Sequence, residues 1–147
     1  MIKRVLVANR GEIACRILRA CREAGIEGVA VFAGNDSTSL FTELADISIE
    51  LKGEGLTETY LNQEQIITIA LENGCDSVHP GFGFLSERAD FANAVIAAGL
   101  IWIGPSAEAI TNMGDKMTAR MTMKAAGVPV IPGVEVKGGL AEILEVA

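Results

Sequence analysis

RVLVANRGEIACRILRACREAGIEGVAVFA, the stretch from Arg4 to Ala33, decides the fold class. It opens on an apolar run, Arg4 to Ala8, too short for a helix and built from strand-forming residues. Glu12 to Ala24 then sets Ile13, Ile17, Leu18 and Cys21 at helical spacing, and Gly25 closes the segment. Gly28 to Ala33 returns to unbroken apolar character, as a strand covered on both faces does. Strand, helix and strand joined by short links make a βαβ unit, with parallel strands and a right-handed crossover.

The same rhythm runs on from there. Ser39 to Ala45 reads as a short helix and Ile47 to Leu51 as a third strand. Leu61 to Glu72 has helical periodicity and stops at Asn73-Gly74. Ser77 to His79 is a short strand, Arg88 to Ala98 a helix, and Leu100 to Ile103 a last strand. The alternation predicts an α/β fold, a Rossmann-like doubly wound parallel sheet. From Ser106 the pattern changes to two helical stretches, Ala107 to Met113 and Lys116 to Ala126, broken at Gly114-Asp115. GVPVIPG follows, and Leu140 to Ala147 starts a helical pattern that the end of the chain cuts short. The expected organisation is a first domain over residues 1–112, with 113–147 as linker helices leading into a second, truncated domain.

Composition narrows the function classes. Half of the 147 residues are hydrophobic, aromatics make up 5%, and the net charge is −7. Such a chain buries a core and is not built to coat nucleic acid or an anionic membrane. The uncharged run from Phe91 to Ala107 is interrupted by Asn93, Gly99, Gly104 and Pro105, and falls short of the ~20 residues of a bilayer-spanning helix. No secretory signal opens the sequence, and Cys15, Cys21 and Cys75 lack paired spacing, so we expect reduced thiols in a cytoplasmic protein. With one histidine and no Cys pair, no metal site is expected.

Several motifs sit at strand ends. The turn after the first strand, ANRGEIACR, holds only Gly11 where a dinucleotide site needs G-x-G-x-x-G, and Glu12 at the helix start repels phosphate. A receiver domain shares the alternation but requires acidic residues where Asn9, Arg10 and Leu51-Lys52 stand. Glu12, Arg16, Arg19 and Glu23 form a charged helix stripe, on pattern alone either a solvated face or a subunit interface. In MGDK, Met113 to Lys116, Asp115 is a helix cap and Lys116 stands at the positive end of the following helix dipole. Met113, Met117 and Met121 recur at helical spacing and read as core. HPGFGFLSE, His79 to Glu87, follows a strand at its carboxyl end, where open α/β sheets bind ligands. Gly81 and Gly83 permit close backbone approach, Ser86 is a candidate cap for the next helix, and His79 lacks a nucleophile partner.

Three long stretches, VANRGEIACRILRACRE, HPGFGFLSE and IGPSAEAITNMGDK, occur in this order and together resemble the N-terminal part of biotin carboxylase. GVPVIPG and YLN (Tyr60 to Asn62) fit as well. The resemblance implies a Rossmann-like domain followed by the start of an ATP-grasp region. It also implies an enzyme that uses MgATP and bicarbonate to carboxylate biotin on a carrier protein. By matching positions it assigns Lys116 to ATP phosphates, Phe82 and Gly83 to the biotin pocket, and Arg16, Arg19 and Glu23 to a dimer interface. No catalytic or metal-binding residue falls within these 147 residues, so the chain alone is expected to be inactive and to hold ATP, Mg2+ and biotin only within a longer enzyme. The implied partners are the remainder of the biotin carboxylase chain, the biotin carboxyl carrier protein, the carboxyltransferase component and a second copy. Phe82 stands where the family usually has tyrosine, which removes a hydroxyl and keeps the ring. Two rival readings are a stand-alone interaction or regulatory module on this fold, and a purine-biosynthetic ATP-grasp enzyme. The latter group lacks the combined ANRGEIA and HPGFGFLSE signatures.

Overall fold

A computed structural model describes residues 1–131. The expected helix start at Leu140 to Ala147 and the last two residues of GVPVIPG lie outside the described residues. Five strands form: β1 (Arg4–Val7), β2 (Glu27–Phe32), β3 (Ile47–Glu50), β4 (Ser77–His79) and β5 (Ile101–Trp102). They make one parallel sheet in the order β3-β2-β1-β4-β5. β4 matches its expected bounds, β2 is shifted by one residue, and β1, β3 and β5 are shorter than expected by one or two.

Alternation within β1 divides the core into two layers. Val5 and Val7 face α1 (Gly11–Glu23) and α2 (Leu40–Leu44), joining Ala14, Ile17, Leu18, Cys21 and Phe41. Leu6 and Ala8 point to the opposite face, where Ile66 and Ile69 of α4 (Gln63–Glu72) meet Phe91 and Val95 of α5 (Ala89–Ala97). Period 2 in the strands and 3.6 in the helices thus give a sheet covered on both sides. The stops read from sequence close the helices by paired backbone bonds. After α1, Ile26 N–H donates to Cys21 O at 2.8 Å and Gly25 N–H to Arg22 O at 3.1 Å, a Schellman motif.

Three features depart from the expectations. A one-turn helix, α3 (Gly55–Glu58), and 3-10 turns at Gly34–Asp36 and Phe84–Glu87 occupy segments to which the sequence pattern assigns no helix. Ser86 lies inside the second of these turns and does not cap α5, whose N-cap position is Arg88. Met113 and Met121 are 51% and 62% exposed rather than buried, because the helices that carry them bury little of their own surface.

Contacts divide the chain into a compact unit over Met1–Ile110 and a second from Thr111 onward. The division falls inside α6 (Ala107–Gly114). In the second unit, α7 (Lys116–Ala125) begins at Asp115, whose side chain accepts from Thr118 N–H at 2.7 Å. Among the described residues no helix is long and apolar enough to cross a membrane.

Candidate functional site

The strand order reverses direction between β1 and β4, so the crevice of this sheet opens where their carboxyl ends lie side by side. Two loops meet there, Asn9-Arg10-Gly11 after β1 and Pro80 to Phe84 after β4. Asn9 is 2% exposed, and its amide nitrogen donates to Pro80 O at 2.7 Å and Phe82 O at 3.0 Å. Its Oδ1 accepts from the backbone N–H of Arg10 at 2.9 Å. The side chain therefore ties the turn after β1 to the loop after β4. A Cβ on Gly81 would stand 2.7 Å from the Asn9 nitrogen, so only glycine lets this loop come so close.

The backbone of the loop is unusual. Gly81 and Gly83 have φ of 72° and 66°, and Phe84 follows at 49°. For a bulky residue the left-handed region costs about 1–2 kcal/mol, so something must hold Phe84 there. Its ring stacks on Tyr60, with centroids 5.6 Å apart and planes 3° from parallel. Between these anchored residues Phe82 is 79% exposed. The loop thus presents one aromatic side chain to solvent from a backbone fixed on both sides.

Tyr60 is itself locked. Its hydroxyl donates to Asp36 Oδ2 at 2.6 Å and accepts from Ala33 N–H at 3.1 Å. Asp36 is buried and receives two bonds from Arg10, one from Nε at 2.6 Å and one from Nη2 at 2.5 Å. Those bonds hold the Asp36 carboxyl below its ordinary range, against the opposing effect of burial. Burial, and then the bond to Asp36, push the Tyr60 phenol up to about 12. Adjacent residues of one turn therefore anchor the rim of the sheet, Asn9 reaching the loop after β4 and Arg10 the turn after β2. Beside this network lies a cleft of ≈ 480 Å³ lined by Arg10, Asn35, Asp36, Glu54, Leu56 and Tyr60.

Other residues singled out by sequence fall elsewhere. His79 is half-buried, accepts from Gly81 N–H through Nδ1 at 3.0 Å, and is held neutral by burial, which lowers its pKa. It lines an apolar groove on the α1 side of the sheet, with Val5, Ile17 and Ile103. Glu12, Arg16, Arg19 and Glu23 are all exposed along α1, and Arg16 pairs with Glu12 at 2.7 Å. Lys116 is exposed at the first position of α7, in the second unit. The site residues thus sit on three elements: Phe82 and Gly83 on one loop, the charged stripe on α1, and Lys116 on α7.

The three thiols are free, Cys21 and Cys75 buried and Cys15 half-buried, and burial pushes Cys75 up to about 11. Sequence reasoning passed over Asn9 and Asp36 as parts of the site, and left Phe84 open between lining a pocket and plugging the core. The only local trace was Asn9-Arg10, polar residues directly after a core strand. Among the described residues no three His, Cys, Asp or Glu side chains gather as metal ligands.

Comparison with known proteins locates this arrangement. The family model described as biotin carboxylase, N-terminal domain, matches residues 1–110. Biotin carboxylase 1 of Bacillus subtilis is 48% identical over 147 residues, covering 100% of this chain and 32% of the relative. Mitochondrial pyruvate carboxylase of Mus musculus is 54% identical over 136 residues, 91% of this chain and 12% of the relative. Among solved structures, the Hydrogenobacter thermophilus 2-oxoglutarate carboxylase biotin carboxylase domain dimer, in complex with MgADP, ADP and bicarbonate, superposes with a TM-score of 0.86. The identity is 44%, covering 99% of this chain and 32% of that one. The chain spans about a third or less of the length of these relatives.

Proposed function

This chain belongs to the biotin carboxylase family, as its N-terminal domain, and on that premise we propose that it supplies the amino-terminal part of an ATP-dependent ligase. The enzyme uses MgATP and bicarbonate to carboxylate biotin borne on a carrier protein, and passes the carboxyl group to a carboxyltransferase component. The reading is carried by Phe82, a large aromatic left 79% exposed on a loop whose neighbours are buried or clamped. A ring held out at the switch-point edge of a sheet is placed to line a pocket completed by other segments. Phe82 and Gly83 form the biotin-facing lip, and the missing hydroxyl of Phe82 leaves contact through the ring face.

Lys116 binds ATP phosphates. Its support is the capped helix start of α7, where the Asp115 side chain orders the first turn and the dipole adds to the lysine's charge. No described residue is assigned to Mg2+, because the described acidic side chains do not gather into a site. The stripe of Arg16, Arg19 and Glu23 forms a homodimer interface, in keeping with the dimer of the Hydrogenobacter thermophilus domain. Residues 1–112 constitute the N-terminal domain and 113–147 lead toward the ATP-grasp region; the division of contacts after Ile110 supports that placement. Cys15, Cys21 and Cys75, all free, favour a reducing compartment such as the cytoplasm.

The test uses a biotin carboxylase of full family length that carries this sequence as its amino-terminal part. Phe82→Ala raises KM for free biotin and Lys116→Gln raises KM for ATP, each by about tenfold, since each removes a substrate contact. Unchanged KM for biotin in the first variant, or for ATP in the second, overturns the corresponding assignment.

A further inference from the structure

Asn9 is buried, wholly hydrogen-bonded within the protein and far in sequence from the loop it grips. A core position of this kind normally goes to an apolar side chain, because an amide contributes nothing there unless each of its groups is paired. The pairing here is specific: one nitrogen spans the carbonyls of Pro80 and Phe82, on either side of Gly81. Those carbonyls belong to residues whose backbone cannot join the β1–β4 ladder. That ladder ends with Ala8 N–H donating to His79 O at 2.9 Å. The Asn9 amide continues the cross-strand bonding for two more carbonyls, using a side chain where the backbone has turned away.

We infer that Asn9 is a positioning residue for biotin, setting the height and direction of the Phe82-Gly83 lip by holding Pro80 and Phe82 from beneath. The inference rests on the biotin-lip reading above. Gly81 lets the loop descend onto Asn9, with no room for a Cβ between them. The second anchor, Phe84 on Tyr60, fixes the far end of the loop without touching its middle. Between them Phe82 has little backbone freedom, so its ring is preorganised before substrate arrives, and ordering it on binding costs less. Without the Asn9 donors two carbonyls lose their partners and the lip gains alternative conformations. Biotin binding then weakens, while ATP, assigned to Lys116 on α7, is affected less.

The experiment compares wild type with Asn9→Asp and Asn9→Ser in the full-length enzyme. Asn9→Asp keeps the shape, removes both donors and sets a carboxylate against two carbonyl oxygens; Asn9→Ser is shorter, keeps one donor, and guards against a variant that fails to fold. Amide hydrogen exchange over Gly81 to Ser86 reads the loop directly, without reference to biotin, and steady-state kinetics read its consequence. Faster exchange confined to that segment is expected, with KM for free biotin up about fivefold or more and KM for ATP changed less than about twofold. Unchanged exchange in both variants overturns the positioning role whatever the kinetics show. Faster exchange with an unchanged biotin KM also overturns it, provided Phe82→Ala raises that KM. If Phe82→Ala leaves it unchanged, the biotin-lip reading fails, and the inference fails with it.

Discussion

Arg10 and Arg16 lie close together in sequence, each bonded to a carboxylate, yet the two pairs belong to different kinds of structure. Asp36 is buried, and it joins Arg10 to Tyr60 in a network that ties three loops at the rim of the sheet. Glu12 and Arg16 are both exposed, at 73% and 69%, and separated by one helical turn. Distance does not distinguish the pairs, since both make short bonds. Burial does. A carboxylate shielded from water cannot lose its arginine without being left short of a partner, whereas an exposed pair exchanges one hydrated geometry for another. The first belongs to the architecture of the site, and the second is free to serve an interface.

The largest effect should come from the buried carboxylate. Asp36→Ala removes the acceptor for the Tyr60 hydroxyl and the partner of Arg10 in one step. Arg10 is partly exposed and recovers some hydration, but the phenol does not, so the loss is about 2–3 kcal/mol of folding free energy. Urea unfolding measures it. A change no greater than that of an ordinary surface substitution would break the comparison, because it would make the two pairs equivalent.

A smaller effect concerns pH. The carboxyl of Asp36 titrates below its unfolded value because Arg10, and after it Tyr60, stabilise the charged form. Its contribution is complete above the unfolded carboxyl value of about 3.9, and is lost as pH falls through the lower folded value. Unfolding free energy should therefore drop on acidification below about pH 4, and drop less steeply in Asp36→Asn, which has no proton to gain. Parallel curves for the two proteins would show that Asp36 is not the group responsible. His79 adds loss at a higher pH. Its folded value is lowered by burial, so the unfolded chain binds a proton first as pH falls below about 6.5. The difference between wild type and His79→Gln isolates that part.

The same contrast explains what could be read from sequence. The sheet was legible because each of its strands is an apolar run bounded by a turn signal, and each long helix ends at a glycine that closes a Schellman bond pair or at a new cap. The charged stripe and Asp115 as a cap were legible for the same reason, being patterns within one helix. The rim network was not. Asn9 to Pro80, Arg10 to Asp36, and Tyr60 to Phe84 join residues from different loops, and no local period links them. Asp36 sat in a run of turn residues, GNDS, and looked like one of them. Ser86 failed as a cap because Phe84, forced into the left-handed region by its stack on Tyr60, starts a 3-10 turn ahead of α5. The methionine spacing failed because helical periodicity marks a face without saying what covers it.

The smallest effect on stability, and the sharpest on the comparison, belongs to Arg16→Glu. Replacing the arginine breaks its bond to Glu12 and sets two like charges one helical turn apart. Both groups are fully hydrated, and the desolvation that makes the Asp36 network costly to disrupt is missing. The melting temperature of the monomeric chain should therefore stay within error of wild type. In the full-length enzyme, however, the proposed interface removes water from the same residues when two copies meet. A repulsion that water screens in the monomer then acts in a medium of lower dielectric, where it is worth several times more. Sedimentation of Arg16→Glu should shift the full-length protein toward monomer, while the unfolding curve of the monomeric chain is unmoved. A variant that remains fully dimeric would remove Arg16 from the interface and return the stripe to the role of a solvated helix face.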